Sequence, residues 1–191
     1  MSRPISAELF VSLDLVVNEP RDWHLAWVSD GMLAEVAREQ STSTLLLGRR
    51  TYDSFAAAWP TLGDEVPLAK QLNDMTKVVV SDRLSQVDTQ WQHTTVLSPK
   101  GNLIQAVERL DDLGADRVTI AGSISLVEQL LAAGLLAELR LLVHPVVVGA
   151  GRRLFDGWNL AERLVFDLIE SVPLERGVRL DVYRPTSSPH R

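Results

Sequence analysis

The chain has 191 residues, 46% of them hydrophobic and 23% charged, with a formal net charge of −6. That balance suits one folded domain with a real core and argues against a broad surface for nucleic acid or for an acidic membrane. There is no cysteine, which excludes disulfides, thiolate metal sites and cysteine nucleophiles.

In chain order, the first expected strand is 5–13, "ISAELFVSL", ending at Asp14. "NEPRDWHLAW" combines a proline with mixed polarity and reads as a loop. From Asp30 to Gln40, Leu33, Val36 and Ala37 recur at helical spacing, and Ser29 or Asp30 can cap the start. A short apolar strand, 44–47, is followed by a helix through Tyr52, Phe55 and Ala56, which Pro60 closes.

"EVPLAKQLNDM" reads as a short helix, with Pro67 tolerable in its first turn. "KVVVS" and "TTVLS" are brief strands, and Asn102 with Gln105 opens a helix that Gly114 ends. "RVTIAGS" is another strand, followed by a helix carrying Leu126, Val127, Leu130 and Leu131, where Ser125 and Glu128 have capping-box spacing. After residue 137, "ELRLLVHPVVVG", "LVFDLIESV" and "GVRLDVYRP" read as strands, the last alternating as a half-solvated antiparallel strand does. Early alternation of strand and helix with a late hairpin gives an α/β domain on a mixed sheet, expected over 1–185 with an unstructured tail at 186–191. "MSRPISAELF" has no apolar segment of secretory type and no apolar run approaches a membrane span, so a cytoplasmic protein is expected.

Three strand ends share their punctuation: "TLLLG-RRT", "KVVVS-DR" and "VTIAG-SIS". Each is a short continuous apolar run, as in strands buried on both faces of a parallel sheet, and each ends in a small residue: Gly48, Ser81 or Gly122. Ligands of open α/β sheets bind outside the carboxyl ends of the strands. If these three run parallel, their ends gather the cations Arg49, Arg50 and Arg83 with the hydroxyls of Thr51, Ser81, Ser123 and Ser125. Helix starts after Gly48 and Gly122 add unpaired backbone N–H groups. A helix terminus favours an anion by about 0.3–1 kcal/mol, and a charge-assisted hydrogen bond adds about 1.5–3 kcal/mol. Such an edge suits a multiply phosphorylated ligand, although glycines and serines that merely end strands beside solvated arginines produce the same pattern.

"LLLGRRTYDSFAAAWP", "VVVSDRL", "VTIAGSISLVEQLL" and "ELRLLVHPVVVGAGRRLF" resemble, in this order, segments of the dihydrofolate-reductase-like superfamily. Within it the chain is similar to the reductase domain of bacterial riboflavin-biosynthesis deaminase-reductases and their stand-alone relatives, from about residue 5 to 184. The most specific element is Gly48-Arg49-x-Thr51 followed by Tyr52.

The resemblance implies a mostly parallel sheet flanked by helices, NADPH as cofactor and hydride transfer to a small heterocyclic substrate. The ribosylaminopyrimidine of riboflavin synthesis leads, with a folate-type or other heterocycle reductase and a non-catalytic NADP-binding domain as alternatives. It places Gly48, Arg49, Arg50 and Thr51 at the phosphates, and Ser81 and Arg83 near the adenosine 2′-phosphate. Gly122, Ser123 and the adjacent amides of Ile124 and Ser125 would take the pyrophosphate. Asp14 matches a first-strand acid that would bind or protonate substrate, with Leu15 replacing the glycine that normally follows. Glu138 matches a further acid, Trp23 and Trp59 would wall a flat heterocycle, and a homodimer is expected. Each of these four side chains also has an ordinary reading, as a turn cap, a solvated strand end or core aromatics.

Other signals lead nowhere. "GAGRR" at 149–153 lacks the third glycine of a dinucleotide fingerprint and reads as a hairpin turn, and His24, His93, His144 and His190 lack metal-ligand spacing. His144 before Pro145 suggests a bulge or an edge position.

Overall fold

The computed structural model describes residues 4–41, 43–63, 65–110, 116–158 and 163–186. The strands are β1 (Ile5–Ser12), β2 (Thr44–Gly48), β3 (Lys77–Val80), β4 (Thr94–Leu97), β5 (Val118–Ala121), β6 (Glu138–His144), β7 (Val165–Pro173) and β8 (Arg179–Thr186). The helices are α1 (Asp30–Gln40), α2 (Arg49–Ala58), α3 (Pro67–Asp74), α4 (Leu103–Glu108) and α5 (Ile124–Ala132). All eight strands form one sheet in the order β4-β3-β2-β5-β1-β6-β8-β7, in which β8 runs against both its neighbours and the other pairings are parallel. The expected α/β architecture, mostly parallel with a C-terminal antiparallel hairpin, is present.

The alternation of side chains along a strand divides β1 between two layers. Ile5, Ala7, Leu9 and Val11 join a core built with Leu126, Val127, Leu130 and Leu131 of α5 and with Ala106 and Val107 of α4. Phe10 faces the opposite layer, where Met32 and Val36 of α1 pack on Leu142, Leu180 and Val182. Tyr52 of α2 and Leu72 of α3 cover Leu45, Leu47 and Val79 on that same side. The chain therefore leaves β1 toward one face and β5 toward the other, and these two strands are neighbours.

Some local expectations are met and others shift. Ser29, not Asp30, caps α1, its hydroxyl accepting from the Met32 N–H at 3.3 Å. Asn102 caps α4 through the Gln105 N–H, and the helix closes at Glu108; Leu113 and Gly114 lie outside the described residues. No capping box forms at Ser125, because α5 begins at Ile124 and its N-cap position falls two residues before Ser125, on Ser123, which adopts a left-handed conformation with φ 53°. His144 ends an interior strand, so Pro145 terminates β6 instead of marking a bulge or an edge. Thr186 closes β8, and the remainder of the expected tail, with His190, lies outside the described residues. The outer strand β7 carries exposed Leu168 (56%) and Ile169 (47%) and a register shift between Leu168 and Glu170.

At the amino edge of the sheet Lys77 is fully buried at the start of β3. Its ammonium donates to the carbonyls of Leu72 (2.8 Å), Asn73 (2.9 Å) and Met75 (2.7 Å) at the end of α3, and lies 4.4 Å from the Trp91 ring centroid. All three donors are used, which makes a buried cation tolerable. Removing it leaves carbonyls without partners, so Lys77→Met should lower the unfolding free energy by about 1–3 kcal/mol in urea titrations. An unchanged midpoint would mean that solvent satisfies those carbonyls.

Candidate functional site

The bonds that bring the strand ends together are short-range and specific. β3, β2 and β5 are adjacent and parallel, so Ser81, Gly48 and Gly122 stand along one carboxyl edge. The Gly48 N–H donates to Ser123 Oγ (2.9 Å), and the Ser123 N–H donates to Thr51 Oγ1 (3.1 Å). Gly122 is left-handed at φ 60°, and a Cβ there would meet Thr51 Cγ2 at 3.3 Å. Its lack of a side chain is thus required twice, by the backbone and by close packing. At Gly48 an added Cβ would make only ordinary contact, 3.7 Å from Ser123 Oγ, so packing within the protein does not demand glycine there.

Neither α2 nor α5 has a side-chain cap, and both begin on this edge. Arg49, Arg50 and Arg83 are exposed beside them. Arg49 pairs with Asp53 one turn along at 3.0 Å, but both groups are about half exposed. Such surface pairs contribute only about 0–1 kcal/mol, so the guanidinium can change partner readily. Ser81 is more committed, its hydroxyl accepting from the N–H groups of Arg83 (3.0 Å) and Leu84 (3.1 Å). Asp82, between them, accepts from the Ser98 hydroxyl and the Lys100 N–H, which hold its carboxyl below the usual range. Two uncapped helix starts, a glycine not forced by packing and three surface cations form a donor set that fits the phosphates of a dinucleotide.

The adjoining end of β1 is organised by Asp14. Oδ1 accepts from the Ser12 hydroxyl (2.7 Å) and the Val148 N–H (3.0 Å), and Oδ2 from the Gly149 N–H (2.9 Å) and Arg153 Nη2 (3.3 Å). These donors hold its carboxyl far below the usual carboxylate range, so it stays ionised and has no proton to give. The "GAGRR" segment is accordingly no hairpin turn; it folds back onto residues 14–18, with Val16 bridged to Arg153 and Arg152 N–H bonded to Asn18 Oδ1 at 2.7 Å. Leu15 adopts φ 63°, the left-handed conformation that a glycine would take without strain, and is 44% exposed.

Trp23 also reaches this edge, its indole N–H donating to the Asn18 carbonyl (3.1 Å) and its ring edge-on to His144 at 5.3 Å. Glu138 does not. It pairs with Ser6 at the start of β6, on the opposite edge of the sheet, and accepts from Arg184 at 3.2 Å. Trp59 is also remote from the strand ends, since it follows α2 and its carbonyl takes Asn73 Nδ2 (3.2 Å) beside the start of β3. Glu138 and Trp59 thus stand apart from the strand ends that carry Gly48, Ser81 and Gly122.

Sequence reading passed over two groups. His24 and His144 meet edge to face at 5.9 Å among Phe10, Trp23 and Trp27, and burial lowers both imidazoles below their usual pKa. Glu8, Glu39 and Arg140 form a buried ionic group between β1, β6 and α1. Strand alternation could have placed Glu8 under α1, but nothing in the sequence paired it with a residue 132 positions away. Among the described residues no three His, Asp or Glu side chains are placed to hold a metal ion, and no helix is long and apolar enough to cross a membrane.

The chain is 26% identical over 185 residues to the uncharacterized protein YyaP of Bacillus subtilis (strain 168), covering 95% of this chain and 94% of that one. A Shewanella sp. PV-4 protein assigned to riboflavin biosynthesis superposes with a TM-score of 0.71 at 22% identity, over 96% of this chain and 99% of the other. The Thermotoga maritima diaminohydroxyphosphoribosylaminopyrimidine deaminase/5-amino-6-(5-phosphoribosylamino)uracil reductase gives 0.70 at 14%, over 96% of this chain and 57% of that one. Enterococcus faecalis dihydrofolate reductase, complexed with NADP(H) and RAB-propyl, gives 0.64 at 16%, over 96% and 97%. These likenesses establish a dihydrofolate-reductase-like fold. The model of the RibD C-terminal domain matches residues 3–180, nearly the whole chain, and the protein belongs to that family.

Proposed function

We propose that this protein is an NADPH-dependent reductase of a small heterocyclic metabolite, with 5-amino-6-(5-phosphoribosylamino)uracil as the leading substrate. The observation that carries the reading is the joined end of β2 and β5, where the Gly48–Ser123–Thr51 bonds set two uncapped helix starts side by side. Family membership and the substrate named for the T. maritima enzyme support the substrate class.

In this reading Gly48, Thr51, Gly122, Ser123, Ile124 and Ser125 hold the phosphate bridge through backbone N–H groups and hydroxyls. Arg49, Arg50 and Arg83 take the remaining phosphate charge, which favours NADPH over NADH. The bound coenzyme would supply hydride. Asp14 orders the loop at 148–153 against the end of β1, and Trp23 walls the substrate side.

Titration calorimetry with NADPH and NADH, followed by oxidation assays on pyrimidine and pterin substrates, tests the assignment. Arg49→Ala and Arg83→Ala should each weaken NADPH binding by about 1.5–3 kcal/mol and reduce its salt dependence. Equal affinity for both coenzymes in the wild type would refute the phosphate assignment. Oxidation with a pterin alone would move the substrate to the folate class.

A carboxylate held below its ordinary range contributes stability above the unfolded pKa, near 4, and loses it as pH falls through the folded value. Asp14→Asn should therefore be less stable than wild type at pH 7, with a narrower gap at about pH 3. Thermal unfolding at both pH values measures this. A constant gap would mean that the charge of Asp14 plays no part in anchoring the loop.

A further inference from the structure

β1 outlasts β5. The β1–β5 pairing ends at Glu8 opposite Ala121, whereas β1 continues beside β6 as far as Ser12. The last bond across is from the Gly122 N–H to the Glu8 carbonyl, at 3.3 Å. Beyond it the chain from β1 turns toward the α1 face and the chain from β5 toward the α5 face, the arrangement that opens a crevice at a topological switch point. Glu8 is thus the last β1 residue paired to β5 before the strands part. Its side chain lies on the α1 face, level with Ala121 and one residue in from Gly122.

The group around it is built but incomplete. Glu8 is 5% exposed and Arg140 3%. Arg140 Nε lies 3.4 Å from Glu8 Oε2 and 3.4 Å from Glu39 Oε2, and Arg140 Nη2 lies 3.9 Å from Glu35 Oε2. Glu39 is held further by the Ser6 hydroxyl (2.6 Å) and by Arg117 (3.7 Å), and Glu35 by Arg38. Yet Arg140 Nη2 is buried without a hydrogen bond, and the bond that Glu8 accepts from Arg140 Nε is a long one, 3.4 Å. A mere clamp between helix and sheet gains by saturating its donors, because an unpaired buried polar atom costs more than a made bond returns. Here one guanidinium donor stays open beside Glu8, where the strands part.

We propose that Glu8 is the acid of the candidate site, giving the proton that completes reduction, while Arg140 positions it and offers Nη2 to a substrate oxygen. The proposal rests on the reductase reading of the same edge. A bound dihydronicotinamide coenzyme would supply hydride, forming a C–H bond at the carbon of a C=N or C=O group and becoming oxidised. The π pair moves to the heteroatom, which takes the proton as the Glu8 O–H bond breaks. Glu8 is left as a carboxylate against Arg140 and regains its proton from water. Burial first, and then the charges of Glu39 and Glu35, push the Glu8 carboxyl up to about 7 against the pull of Arg140, so it still carries a proton near neutrality. Asp14, ionised under four donors, cannot fill this role.

Infrared spectra of the full chain between pH 5 and 9 should show a protonated carboxyl band titrating near pH 7, absent from Glu8→Gln. Turnover of 5-amino-6-(5-phosphoribosylamino)uracil with NADPH should fall as pH rises through about 7, because the acid form is required. Glu8→Gln should lose on the order of 10²- to 10⁴-fold in kcat and lose that alkaline limb, with NADPH affinity unchanged. Glu8→Asp should regain the limb at a shifted pH. A structural clamp would lower stability but leave the shape of the pH profile alone, and that result overturns the proposal. So does a Glu8 carboxyl already ionised at pH 6, a measurement that needs only the wild type. Wild-type protein that binds NADPH yet oxidises it with neither pyrimidine nor pterin defeats the reductase reading itself, and the role of Glu8 with it.

Discussion

Two hydrogen bonds, from Gly48 N–H to Ser123 Oγ and from Ser123 N–H to Thr51 Oγ1, hold the carboxyl edge in its working shape. Each is worth about 1 kcal/mol by itself. Their leverage is geometric: they fix the start of α2 against the start of α5, so two helix termini face the same volume. The left-handed pair Gly122 and Ser123 makes that possible by turning the chain sharply out of β5. The arginines could move without disturbing this frame, but the frame cannot move without scattering them.

The α1 face carries the opposite design. Where the α5 side of β1 is wholly apolar, the α1 side buries Ser6, Glu8 and Ser12 with Arg140 and His144 beneath aromatic rings and a helix. Buried charges stabilise little and specify much, since a guanidinium shared by Glu8 and Glu39 admits few alternative placements of α1. A hydrocarbon filling would hold the helix at least as firmly but would leave no titrating group at the point where β1 and β5 diverge.

Much of this was legible in the residues. Short apolar runs ending in Gly48, Ser81 and Gly122 announced parallel strands buried on both faces, and the period of 30–40 announced α1 within its observed bounds. Glycine, serine and arginine at those ends pointed to an anion-binding edge. The acids were harder. Asp14 was visible as a strand-end carboxylate, but its partners Val148, Gly149 and Arg153 lie more than 130 residues away, and only the tertiary structure shows it saturated. Glu138 sat in a recognisable segment, yet the parallel register with Ser6 sends the start of β6 to the wrong edge. Glu8 looked like one polar letter in an apolar strand, because burial and charge pairing are properties of what packs across it.

The irregularity in β7 bears on how the protein behaves in a crowded solution. An outermost strand with Leu168 and Ile169 open to solvent offers a template on which another chain could lengthen the sheet. The shift between Leu168 and Glu170 breaks the even ladder that such addition needs, Pro173 removes an N–H at the strand's end, and Glu170 sets a charge on the exposed rung. A strand added along β7 would therefore meet an uneven ladder, while the apolar side chains stay in place.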